Sequence, residues 1–135
     1  MNELRTTHSS PLFASSISAG PPSPADSTID QSIDLNEFLI KNPAATFFVR
    51  VEGTTMIDAG IHPGDILIVD KSLDPLPNNI VIAVVGGEFL VKRLITECGV
   101  KYLAPDNPAF ERIELGDSDQ VEIWGVITYA INKAL

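Results

Sequence analysis

The chain has 135 residues, 44% of them hydrophobic, and its 18 acidic against 9 basic side chains give a formal net charge of -9. That length suits one domain with a tail, and the apolar content is enough for a sizeable core. The acidic balance, with no Lys/Arg cluster to follow a phosphate backbone, argues against direct tight binding to nucleic acid.

Residues 1–33 are rich in Ser, Thr, Pro and Gly, with only a few apolar side chains such as Leu12, Phe13 and Ile17. Such a stretch cannot bury enough surface to fold by itself, and it reads as an N-terminal arm, mobile or docked. Residues 12–19 have a superficial likeness to a signal peptide, but serines interrupt the run and no basic flank precedes a long apolar core. Pro21, Pro22 and Pro24 hold the next segment extended and without competing secondary structure.

Asp34-Leu35-Asn36-Glu37 has the form of a capping box, with Asp34 as N-cap and Glu37 at N3. A short helix over 35–40 follows, ending before Pro43, and marks the entry to a globular domain of residues 34–135. Its apolar residues Leu35, Phe38 and Leu39 suit packing on a sheet or, equally, a partner surface. From Thr46 onward, short β-branched and aromatic runs alternate with Gly, Pro, Asn and Asp. The spacing predicts six strands, over 47–52, 65–70, 80–85, 88–94, 100–104 and 121–131, in a mainly antiparallel β domain that curls into a barrel-like sandwich.

Between the first two strands lies Gly53-Thr54-Thr55-Met56-Ile57-Asp58-Ala59-Gly60-Ile61, which reads as a tight turn and one helical turn. Thr55 stands at its start. Backbone N–H groups at such a position lack partners and favour developing negative charge, so a hydroxyl there suits a nucleophile; a plain capping threonine fits the same pattern. His62-Pro63-Gly64-Asp65 is a turn, and capping of turns explains Asp58, Asp65 and Asp70, whose spacing fits neither a calcium loop nor an acid pair. Neither His8 nor His62 has a ligating neighbour at suitable spacing, so no metal site is expected.

The longest apolar run, 80–85, is far shorter than a membrane span, and a cytoplasmic protein with no bilayer anchor is expected. After the Gly86-Gly87 hairpin signal, strand alternation puts Lys92 on one face with Leu90 and Leu94. Partial desolvation there disfavours the ammonium, and a neutral amine can take a proton from a hydroxyl. Thr55 and Lys92, 37 residues apart, together have the composition of a Ser/Lys-type dyad; the alternative is a lysine stem laid over apolar surface with its head in water. Cys98, the one cysteine, excludes an internal disulfide, suits a reducing compartment and is expected to be an inert, half-buried thiol. Ala104-Pro105-Asp106-Asn107-Pro108-Ala109-Phe110 has the make-up of a Pro-rich surface turn, and Trp124 suits core packing or a subunit interface.

Three stretches carry a resemblance: Phe48-Val49-Arg50-Val51-Glu52-Gly53-Thr54-Thr55-Met56-Ile57-Asp58-Ala59-Gly60-Ile61, Pro63-Gly64-Asp65-Ile66-Leu67-Ile68-Val69-Asp70, and Gly87-Glu88-Phe89-Leu90-Val91-Lys92-Arg93-Leu94. They resemble the LexA-type self-cleaving Ser/Lys peptidases, and within these the UmuD-like SOS-mutagenesis proteins. The likeness runs from Pro11-Leu12-Phe13 to the C-terminal strand and includes Gly20-Pro21-Pro22-Ser23-Pro24-Ala25 and Ile33-Asp34-Leu35-Asn36. It implies a LexA/signal-peptidase-like fold, a curled antiparallel β barrel-sandwich with an extended N-terminal arm, and it places the loop over 104–110 near the cleft. It implies Lys92 as general base, Thr55 in the nucleophile position and Ala19-Gly20 as the self-cleavage site; a small residue before glycine offers little steric hindrance to a narrow cleft. No cofactor is implied. The implied partners are a second copy of the chain in a homodimer, a RecA filament on single-stranded DNA that promotes cleavage, and a UmuC-like error-prone polymerase joined for translesion synthesis.

One position departs from the pattern. Where the family's Gly-x-Ser-Met carries its serine, this chain has Thr55, whose extra methyl stiffens the side chain and crowds the approach to a carbonyl. Three functions stay open on the sequence: a self-processing regulator, a non-cleaving subunit of the same assembly with its arm intact, and a β-barrel binding module whose dyad is a relic. The small-Gly-Pro segment in the arm serves the first two and has no use in the third.

Overall fold

The computed structural model describes residues 9–13, 16–22, 24–25, 28–107, 111–116 and 121–135. His8, parts of the arm and residues 108–110 of the Pro-rich loop lie outside them. The chain divides into two compact units between Lys41 and Asn42.

In the first unit, β1 (Ser9–Phe13) pairs antiparallel with β2 (Ile29–Asp34), joining Ser9 to Asp34 and Leu12 to Gln31, with a register shift between Leu12 and Phe13. No strand is expected from the sequence in this arm, yet these two segments form a ladder. A main-chain ladder needs extended backbone rather than a core, and Pro11, which has no N–H to give, is tolerated in a two-stranded ribbon. All of β1 is exposed, which fits a stretch too poor in apolar side chains to build an interior. The helix α1 (Leu35–Leu39) follows directly, with the Asp34 carboxylate accepting from the Asn36 N–H at 3.0 Å. The Glu37 side chain makes no reciprocal bond among the described residues, so only the N-cap half of the predicted box forms. No residue of the helix is buried, and Leu35 and Phe38 are both exposed.

The second unit is a seven-stranded antiparallel sheet. Its strands are β3 (Thr46–Arg50), β4 (Ile66–Asp70), β5 (Ile80–Val85), β6 (Glu88–Glu97), β7 (Val100–Ala104), β8 (Ile113–Glu114) and β9 (Val121–Ile131), in the order β3-β4-β9-β5-β6-β7-β8. The fold is mainly β and antiparallel, as expected; the sheet is open, with β3 and β8 at its edges, rather than a closed barrel. All six predicted strands are present. β6 runs on to Glu97 because Ile95, Thr96 and Glu97 find partners in Tyr102, Lys101 and Val100. β8, two residues long, is too short to leave a periodic signal.

The central strands are covered on both faces. In β5, Ile82 belongs to a cluster with Val51, Met56, Ile61, Leu67 and Val69, while its neighbours Val81 and Ala83 join Leu94, Leu103 and Val126. That double burial explains why β5 reads as the unbroken apolar run IVIAVV. The β5–β6 connection is the two-residue turn Gly86-Gly87, with φ of 59° and 83°, a backbone path that glycine takes without steric penalty. The β6–β7 turn uses Cys98 and Gly99 in the same sense, Cys98 at φ 51°. Cys98 is exposed there, which corrects the expected half-buried thiol: a two-residue hairpin tip has nothing to bury against.

Candidate active site

β3 hands the chain to a loop that leaves and returns at one point: the Val51 N–H donates to Asp65 O and the Gly64 N–H to Val51 O, each at 2.9 Å. Within the loop Met56 and Ile61 are buried in the first apolar cluster and act as its anchors. Thr55, immediately before Met56, is thereby held half-buried rather than free in solvent. The predicted helical turn is a single 3-10 turn, Ile57–Ala59, closed by Gly60 in the left-handed region. Three residues make no appreciable dipole. What the turn does leave are the Thr55 and Met56 N–H groups, which have no hydrogen-bond partner among the described residues.

Lys92 sits in the middle of β6, opposite Val81, and is only 6% exposed. Leu94 on the same face is buried and Leu90 half-buried, as the strand alternation predicts. Burial pushes the Lys92 ammonium down from its ordinary value. Desolvation is the one cause of that shift, with no neighbouring charge or side-chain hydrogen bond among the described residues contributing to it.

The fold brings these two side chains to one cavity. Thr55 and Lys92 both line a space of about 480 Å³ whose apolar wall includes Val49, Ile82, Phe89 and Trp124. They are not hydrogen-bonded to each other, so the hydroxyl and amine share a cavity without forming a closed pair. Ala19 and Gly20 are exposed in the first unit, where the Gly20 N–H donates to Ser18 Oγ at 3.0 Å.

Two features of this site went unread in the sequence. Trp124 is half-buried in the cavity wall, with Phe47 at 4.4 Å and Phe89 at 4.7 Å between ring centroids and the Lys71 ammonium 4.6 Å from its own. Alternation alone places it on a face but cannot say that the face is a cavity. The second feature is a pairing within the loop after β7, a loop that the resemblance does place near the cleft: the Asp106 carboxylate accepts from Arg93 Nε at 2.9 Å on both oxygens. This pairing raises the guanidinium further above its ordinary value. The same loop bonds the Thr55 segment, since the Asp58 N–H donates to Asp106 O at 2.9 Å and Asn107 Nδ2 to Thr54 O at 3.1 Å. Asp65 Oδ2 accepts from the His62 N–H at 2.9 Å and so caps its turn as expected, whereas the Asp58 carboxylate caps nothing among the described residues and only its main-chain N–H is bonded. No group of side chains among the described residues could hold a metal ion.

The family model for S24-like peptidases matches residues 11–128. This chain belongs to the S24-like peptidase family. The S24-like chain is 42% identical over 128 residues to Protein MucA of Salmonella typhimurium, covering 92% of this chain and 85% of MucA. It is 43% identical over 123 residues to Protein SamA of Salmonella typhimurium strain LT2, covering 91% of this chain and 85% of SamA. With Protein ImpA of Escherichia coli it shares 42% identity over 125 residues, covering 91% of this chain and 83% of ImpA. The UmuD-like character read from the segments around Thr55 and Lys92 is therefore a likeness of nearly whole chains.

Proposed function

We propose that this S24-like chain is a self-processing SOS-mutagenesis regulator whose own Ala19-Gly20 bond is the substrate. The observation that carries the reading is the convergence of Thr55 and Lys92, from separate strands' ends of the sequence, on one cavity in which burial disfavours the ammonium. Neutral Lys92 Nζ takes the Thr55 hydroxyl proton as Oγ1 bonds to the Ala19 carbonyl carbon. The unpaired N–H groups at Thr55 and Met56 are donors for the oxygen that becomes negative. Lys92 then returns the proton to the Gly20 nitrogen as the C–N bond breaks, and water hydrolyses the ester left on Thr55. Cleavage is promoted by a RecA filament on single-stranded DNA. The product, residues 20–135, works as a homodimer with a UmuC-like error-prone polymerase in translesion synthesis in the cytoplasm.

The second reading, a non-cleaving subunit of the same assembly, is favoured by two observations: the methyl that Thr55 adds and the open contact between hydroxyl and amine. The two separate by intact mass after incubation with activated RecA filament, and without it at mildly alkaline pH. We expect the unmodified protein to cleave slowly, Thr55→Ser to cleave faster, and Thr55→Ser with Lys92→Ala not at all. A folded Thr55→Ser protein that stays whole under both conditions removes the self-processing reading.

A further inference from the structure

The chain on both sides of Thr55 is held from outside its own loop. Asn107 Nδ2 donates to Thr54 O, the Asp106 N–H donates to Met56 Sδ at 3.3 Å, and the Asp58 N–H donates to Asp106 O. Asp106 is itself gripped by Arg93: Nε reaches both carboxylate oxygens, Nη2 reaches Oδ2, and Nη1 donates to Asn78 O at 2.7 Å. Arg93 follows Lys92 in β6, and alternation along a strand sends the two side chains to opposite faces. One strand thus carries the amine on one side and, on the other, the arm that reaches the loop bracing the hydroxyl.

We propose that Arg93 and Asp106 form a positioning clasp that sets Thr55 against Lys92. The inference rests on the dyad reading above and adds to it the part that fixes the dyad's spacing. Thr55 has no hydrogen bond of its own among the described residues, so its place depends on Thr54, Met56 and Asp58, the three residues that this loop holds. A guanidinium–carboxylate fork suits the task, because two parallel bonds fix direction as well as distance, and the pair is half-buried, with Arg93 28% and Asp106 18% exposed.

The test uses Asp106→Asn, which removes the charge at nearly the same volume, Arg93→Gln, which replaces the guanidinium by a shorter neutral amide, and Asp106→Glu, which keeps a carboxylate. Cleavage is measured over pH in the Thr55→Ser background, and the Thr55 methyl resonance is followed by NMR through the Lys92 titration in the unmodified protein. Asp106→Asn and Arg93→Gln are expected to slow cleavage about 10- to 100-fold, the scale of a small misplacement of reacting groups, while the pH midpoint stays put because Lys92 keeps its surroundings. The Lys92-linked shift of the Thr55 methyl shrinks in both variants and is largely restored in Asp106→Glu. Retention of full rate and full methyl response in both charge-removing variants overturns the clasp. So does a loss that appears only with general unfolding by circular dichroism, or one that Asp106→Glu, when folded, fails to restore. If Thr55→Ser does not cleave, the self-processing reading falls, and the methyl response alone still decides whether the clasp couples the two side chains.

Discussion

Lys92 is the residue whose chemistry is most fully decided by its surroundings. Its folded-state pKa lies below the ordinary 10.5 through desolvation, so between the two values the unfolded chain binds the extra proton. Stability therefore rises as pH climbs through that window and is lower on its acid side. Lys92→Met, which fills the same space without charge, is expected to raise the urea midpoint at neutral pH and to flatten this alkaline rise. The same depressed pKa predicts that Thr55→Ser cleaves faster as pH rises, with a midpoint below that of a solvated lysine. A midpoint at the solvated value would exclude Lys92 as the base. Asp70 behaves in the opposite sense: bonds from Asn42 Nδ2 at 2.8 Å and from Ser72 hold its carboxyl below the ordinary 3.8. Its contribution is complete above pH 3.8 and is lost as pH falls through the lowered value, so Asp70→Ala should weaken the protein at neutral pH and flatten the acid limb of its stability curve.

At the scale of elements, the sheet depends on how closely β9 crosses β4. A Cβ built on Gly125 would stand 2.6 Å from Val69 Cγ1, and Val69 is fully buried with no room to withdraw. Gly125→Ala is expected to cost about 1 to 3 kcal/mol by overpacking, read as a lower urea midpoint with an unchanged slope. Leu103 on β7 tests the opposite failure. It is fully buried in the second cluster, and Leu103→Ala should cost about 2 to 5 kcal/mol through lost burial and the cavity left behind.

For the whole molecule, charge and edges set the expectations. With a net charge of -9, weak association with single-stranded DNA at physiological salt is expected, so a gel shift by the protein alone should be absent. Among the described residues β3 has a strand neighbour on one side only, at the sheet edge, and Phe48 on that strand and Ile131 on β9 are exposed. Open edges and exposed apolar side chains suit association with a second copy. Sedimentation should give a dimer at micromolar concentration, shifted toward monomer when residues 1–19 are removed; a monomer unaffected by that deletion contradicts the assembly.

Much of this architecture follows from local pattern. β5 is legible because six consecutive apolar residues end at a Gly-Gly turn, and the burial of Lys92 follows from its place between Leu90 and Leu94 in a period of two. The short-range cap at Asp34 is legible for the same reason, being set by neighbours in the chain. The β1–β2 ladder was not, because pairing between Ser9 and Asp34 spans a long Pro- and Ser-rich connection that has no periodic signal. The site divides along the same line. Residue type and motif name Thr55 and Lys92, but the cavity they share, the aromatic wall at Trp124 and the grip of Arg93 on Asp106 exist only once the curled sheet brings distant strands and loops together. Strand period, turns and caps depend on residues a few places apart and are written in the chain; contacts between segments far apart are chosen by which surfaces can be buried together, and only the tertiary structure decides those.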